Sequence, residues 1–232
     1  MYRSLDSQKI LETVQLLRDR IAERFPDSGL SRVADDFSET AGDAMAKTEM
    51  IGRPNIPLRA IVWLLVVVMV AIVLSVAINL KISVQVDRIS ELAQGLESGI
   101  NDIIFLGVAI YFLFTLETRL RRRATLKVIH ELRSLAHIID MHQLTKDPEQ
   151  LLTRDQDTAS SPERKMTRFE LSRYLNYCSE MLSLIGKLAA MQVQRFDDPV
   201  TLSAVDQIED LTTALCGKIW QKINIIHRLR PS

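Results

Sequence analysis

From Ala60 to Leu80 the chain reads AIVWLLVVVMVAIVLSVAINL, 21 residues without a charge, and this run limits the accessible folds more than any other feature. At about 1.5 Å rise per residue, a helix of that length crosses a hydrocarbon core of roughly 30 Å. A secretory signal has an apolar core of only about 7–15 residues at the N-terminus. Here some fifty mostly polar residues come first. A core helix of a water-soluble protein carries a polar stripe, and none interrupts this run before Ser75 and Asn79. The expected class is an all-α membrane protein, with a first transmembrane helix over residues 57–80.

A second apolar stretch, Ile103 to Leu116 (IIFLGVAIYFLFTL), is short for a span by itself. Extension back through Ile100, Asn101 and Asp102 brings it to about the minimum length, with Tyr111 and Phe112 inside it. Residues 100–117 are therefore expected to form the second transmembrane helix. Lys47, Arg53 and Arg59 precede the first span and Arg119, Arg121, Arg122, Arg123 and Lys127 follow the second, whereas only Lys81 and Arg88 lie between them. That asymmetry places both termini in the cytoplasm of a multi-pass inner (plasma) membrane protein. The cluster of Arg119, Arg121, Arg122, Arg123 and Lys127 is expected to face anionic lipid headgroups. Lys plus Arg and Asp plus Glu balance at 29 each, so nothing global points to nucleic acid as a partner.

Residues 81–99 form a short extracytoplasmic segment with its own pattern. Ile82, Val86, Ile89, Ala93, Leu96, Ile100 and Ile103 alternate spacings of four and three, a heptad seam that predicts helices associating in a coiled coil, and hence a homo-oligomer. The GxxxG pair Gly95 and Gly99 lies outside the apolar core and reads as a bend or close approach.

The remainder reads as helix outside the bilayer. In the N-terminal region, residues 1–56, Ile10, Val14, Leu17 and Ile21 make one apolar face, and Pro26-Asp27-Ser28-Gly29 supplies a turn. A second helix, from Leu30 to Met45, carries Leu30, Val33, Phe37, Ala41 and Ala44 on one side and Asp35, Asp36, Glu39 and Asp43, a solvated face, on the other. Residues 118–150 continue the helical pattern through Val128, Leu132, Leu135, Ile139 and Leu144 to Asp147-Pro148, so the second span and this helix are expected to form one rod. Residues 151–165 are polar, contain Ser-Ser-Pro and read as a flexible linker. Residues 166–232 predict an antiparallel hairpin of two helices, Met166 to Arg195 and Pro199 to Leu229, with Asp198 capping the second and Pro199 in its first turn. Its aromatic residues Phe169, Tyr174, Phe196 and Trp220 read as core.

Little of this carries reaction chemistry. His130, His137 and His142 crowd into HELRSLAHIIDMH, where His130, His137 and Asp140 would be metal ligands only if another helix completed the set. A Ser134, His137, Asp140 relay stacked on one helix would not orient nucleophile and base. No paired CxxC, HExxH or phosphate-cradling glycine loop occurs, so no cofactor is expected. Cys178 and Cys216, level across the predicted hairpin, read as reduced and packed thiols. The expectation is a non-enzymatic two-pass protein whose cytoplasmic helices form an interaction or self-association module for a protein partner. The alternatives are a subunit of an oligomeric pore, lined near one end by Ser75, Asn79, Asn101 and Asp102, and a metal- or pH-responsive sensor working through His130 and His137.

Overall fold

The computed structural model describes residues 5–52, 56–83, 89–148, 166–194 and 196–228, and among these it has six α-helices and no strand. They are α1 (Ser7–Arg24), α2 (Gly29–Gly52), α3 (Ile56–Ser83), α4 (Ile89–Leu144), α5 (Arg168–Val193) and α6 (Pro199–Arg228). The chain divides into two compact units. One joins Met1–Gly52 to Arg122–Ser232, and the other is Arg53–Arg121.

The first unit is a bundle of α1, α2, the C-terminal part of α4, α5 and α6 around one core. Helix α1 starts where the Asp6 carboxylate accepts from the backbone N–H groups of Gln8 and Lys9, at 3.0 and 3.3 Å, which satisfies two of the donors that every helix start leaves open. Its buried residues are Ile10, Val14, Leu17 and Ile21, the face given by the spacing. The helix ends before Pro26, and Asp27 takes a left-handed φ of 55°, a conformation that Asp tolerates better than most residues. Helix α2 buries Leu30, Val33, Phe37, Ala41 and Ala44 as expected. It runs on to Gly52, past the expected end at Met45, because Thr48 is also buried and its hydroxyl lies 2.8 Å from Gln192 Oε1 of α5.

Helix α5 begins with a capping box: the Thr167 hydroxyl accepts from the Glu170 N–H while Glu170 accepts from the Thr167 N–H at 2.7 Å. Helices α5 and α6 form the expected hairpin, with Cys216 Sγ 3.6 Å from the Ser179 carbonyl and Arg168 donating to the Ile226 carbonyl at 2.6 Å. The Cβ that Gly29 lacks would stand 2.6 Å from His142 Cε1, and Lys47 Nζ lies 3.2 Å from Glu131. The start of α2 is thus level with the end of α4, and the two run antiparallel.

The aromatic expectations divide. Tyr174 and Phe196 are buried, and Tyr174 meets Phe25 edge-on at 5.6 Å. Phe169 and Trp220 are each 60% exposed. Trp220 is one position past the buried stripe Leu215, Ile219, Ile223, which turns it about 100° toward solvent. Phe169, in the first turn of α5, lies 5.3 Å below the Arg24 guanidinium. Leu144 is also exposed, as the last residue of α4.

The second unit consists of α3 and the N-terminal part of α4, which is a single helix through the predicted second span and the segment after it. Both helices are long and apolar enough to cross a membrane, α3 over Ile56–Ser75 and α4 in its part beginning at Gly99. Their side chains are turned outward. Val62 and Val66 are buried, whereas Ile61, Leu64, Val67, Ile72, Ile103, Phe105 and Val108 are more than half exposed. Of the heptad seam, Ile100 and Ile103 are exposed; the side chains of Ile82, Ile89, Ala93 and Leu96 and all of Val86 lie outside the described residues, as does the linker 151–165.

Candidate functional site

A polar cluster of the bundle surrounds the end of α4. A helix leaves its last four carbonyl groups without intrahelical donors, and here two neighbouring helices supply donors to two of them, those of His142 and Gln143. Lys222 of α6 donates from Nζ to the Gln143 carbonyl at 2.8 Å and to Gln143 Oε1 at 2.7 Å. Tyr174 of α5 donates its hydroxyl to the His142 carbonyl at 3.4 Å. A cation at this terminus also complements the negative end of the helix dipole. Gln143 donates from Nε2 to Asp140 at 2.7 Å, and the Lys146 ammonium lies 5.3 Å from the centre of the Tyr174 ring.

The titration of these groups follows from burial. Cys178, fully enclosed beside them, has its thiol pushed up to about 12 chiefly by desolvation, against a weaker pull from Lys222. Tyr174 is raised by burial, and Lys222 is lowered by burial, with Asp147 and Asp140 acting in the opposite sense. Burial thus favours the neutral form of the thiol, the phenol and the amine alike. The cluster is a clamp on the end of α4.

A second polar contact ties α4 to the start of α6. The Asp198 side chain, 3% exposed, caps α6 by accepting from the Thr201 N–H and hydroxyl, each at 3.1 Å. It also receives Nε and Nη2 of Arg122, the closest approach being 2.6 Å. Burial pushes the Asp198 carboxyl up, but Arg122 and the two Thr201 donors outweigh it and hold the group below its ordinary value.

The expected lipid-facing cluster is therefore divided. Arg122 is committed to Asp198, and Arg121 pairs with Glu117 at 2.6 Å. Arg119 is exposed and stands 4.8 Å from the centre of the Phe112 ring; Arg123 and Lys127 are exposed as well. In the second unit Glu117 also accepts from Arg59 of α3 at 2.7 Å, and Trp63 packs edge-on against Phe114 at 5.5 Å. Sequence reading does not bring Arg59, Glu117 and Trp63 together, since the contact depends on how α3 and α4 pair.

The histidines do not converge. His130 and His137 are exposed, His142 packs against Gly29, Ser134 donates to the His130 carbonyl at 3.0 Å, and Asp140 is engaged by Gln143. Among the described residues no three His, Cys, Asp or Glu side chains are placed to hold a metal. The acidic residues Asp35, Asp36, Glu39 and Asp43 are exposed along α2. Comparison of the chain with protein-family models, with curated proteins and with solved structures finds no match in any of the three.

Proposed function

We propose that the chain is a two-pass inner-membrane protein with both termini in the cytoplasm, whose helical bundle is a non-catalytic module for self-association or for binding a protein partner. The observation that carries the membrane part is the outward exposure of α3 and α4 side chains such as Leu64, Val67, Ile103 and Phe105. Contiguous apolar surface of that extent is untenable in water and ordinary in lipid. Support for the interaction part is chemical: the buried polar side chains Gln143 and Asp198 are engaged at helix ends, while Ile138, Met141 and Leu144 lie exposed along one end of α4. Anionic lipid meets the basic residues that remain open, Arg119, Arg123 and Lys127.

A topology reporter tests the placement. An enzyme active only outside the cytoplasm should work when fused after Ser90 and stay silent when fused after Ser232. Activity at the C-terminus would remove the second span. Co-purification of two differently tagged copies from one membrane tests self-association, and recovery of a single tag would leave the bundle with foreign partners alone.

A further inference from the structure

The helical bundle has an open cleft of about 620 Å³ between the end of α1 and the start of α5, lined by Arg20, Glu23, Arg24, Glu170, Arg173 and Tyr177 among others. Its three arginines are unequally paired. Arg20 donates to Glu180 at 2.9 Å. Arg24 and Arg173 make no ion pair among the described residues: Arg24 meets the ring of Phe169, and Arg173 that of Tyr177 at 5.8 Å from its centre, with the Arg173 Nε buried and lacking an acceptor. The carboxylates of the cleft do not take them. One oxygen of Glu170 is held by the N–H and the hydroxyl of Thr167, and Glu23 is exposed with no ion pair of its own. Arg20 also stands 6.0 Å from the centre of the Tyr177 ring, so two guanidinium ions share one ring. Cations gathered in this way favour carboxylates brought from outside.

The same bundle carries the complementary surface. Asp35, Asp36 and Glu39 are exposed on α2, and their carboxylates make no ion pair or hydrogen bond among the described residues. Asp43, further along that face, has Lys47 at 3.9 Å. Like charges one turn apart weaken a helix, and cations from another molecule relieve that repulsion. The repeats also agree, since Arg20 and Arg24 on α1 and Asp35 and Glu39 on α2 are each one turn apart, about 6 Å along the helix axis. We propose that the α1–α5 cleft of one copy receives the acidic α2 face of a second copy, the carboxylates of Asp35, Asp36 and Glu39 meeting Arg24 and Arg173 and joining Glu180 at Arg20. The proposal rests on the self-association reading above and names its surfaces. Charge complementarity decides the occupant: two guanidinium groups without an ion pair stand in the cleft, three carboxylates without one stand on α2, and every copy carries both.

Two charge-reversed variants of the full-length protein separate the surfaces. Arg24→Glu with Arg173→Glu reverses the cleft, and Asp35→Arg with Glu39→Arg reverses the acidic face. Each is made with two different tags, co-expressed, and purified in detergent through one tag. For either variant alone, recovery of the second tag should fall about tenfold or more below the parent, since unlike pairs become like ones. Co-expression of one variant with the other should restore it, because both pairings are again of opposite sign, and misfolded chains could not rescue each other. Variants that associate as the parent does, or that fail to restore each other, overturn this interface and leave self-association to another surface. A parent that yields a single tag overturns self-association itself, and this interface with it.

Discussion

Asp198 performs two tasks with one carboxylate, and they differ in what they cost to remove. Loss of the cap on α6 costs about 1–2 kcal/mol. Arg122, with a side chain 37% exposed, can return to water when its partner is lost, whereas Asp198, 3% exposed, cannot. Because the folded Asp198 carboxyl lies below its ordinary value, it contributes stability above about pH 4 that is lost as pH falls through the folded value. Thermal melts of the parent should therefore drop between neutral and strongly acid pH. In Asp198→Asn, which keeps a capping side chain but cannot ionise, that part of the drop should vanish; an unchanged acid slope would show that other carboxylates set it. The two thiols make a second contrast. Cys178 is fully buried with a raised thiol, and Cys216 is partly exposed, so a thiol reagent should label Cys216 in the folded protein and reach Cys178 only on unfolding. Equal labelling rates would mean that the α5–α6 face opens far below global unfolding.

Between elements, the junction of α2 with α4 depends on an atom that is not there. A Cβ on Gly29 would meet the His142 ring at 2.6 Å, and because that ring is the end of a rotatable, half-buried side chain, Gly29→Ala must displace the imidazole at a cost to the bundle of no more than about 1 kcal/mol. In the double variant with His142→Ala most of that cost should disappear, and additive losses in denaturant unfolding would mean that the clash is absorbed elsewhere. This junction was hidden in the sequence, as was the Arg122–Asp198 pair, 76 residues apart along the chain. Apolar faces were legible: Ile10, Val14, Leu17 and Ile21 repeat at helical spacing and are buried, as are Leu30, Val33 and Phe37. The capping box Thr167-x-x-Glu170 is equally local, and it places the start of α5 just after the expected Met166. What periodicity could not supply is rotation about a helix axis to better than one residue. Trp220, adjacent to the buried Ile219, falls on the solvent side for that reason.

For the whole molecule, the bundle is assembled from two stretches of chain with the apolar unit inserted between them. The insertion is topologically mild. Gly29 is level with His142 and Lys47 with Glu131, so α2 and α4 run antiparallel and bring Gly52 and Arg122 to the same end of the bundle. The core cluster draws on α1, α2, α4, α5 and α6 and contains no residue of α3. Joining Gly52 directly to Arg122 through a short Gly/Ser linker, with residues 53–121 removed, should therefore give a helical protein that stays in solution without detergent. A flexible linker adds only the slowly growing entropy of loop closure, while the deletion discards the outward-facing apolar side chains of α3 and α4. Circular dichroism should report mostly helix and heating a single cooperative transition, as a bundle with one core unfolds. A non-cooperative melt, or a requirement for detergent, would show that the spans contribute to the bundle's stability and that the two units do not fold independently.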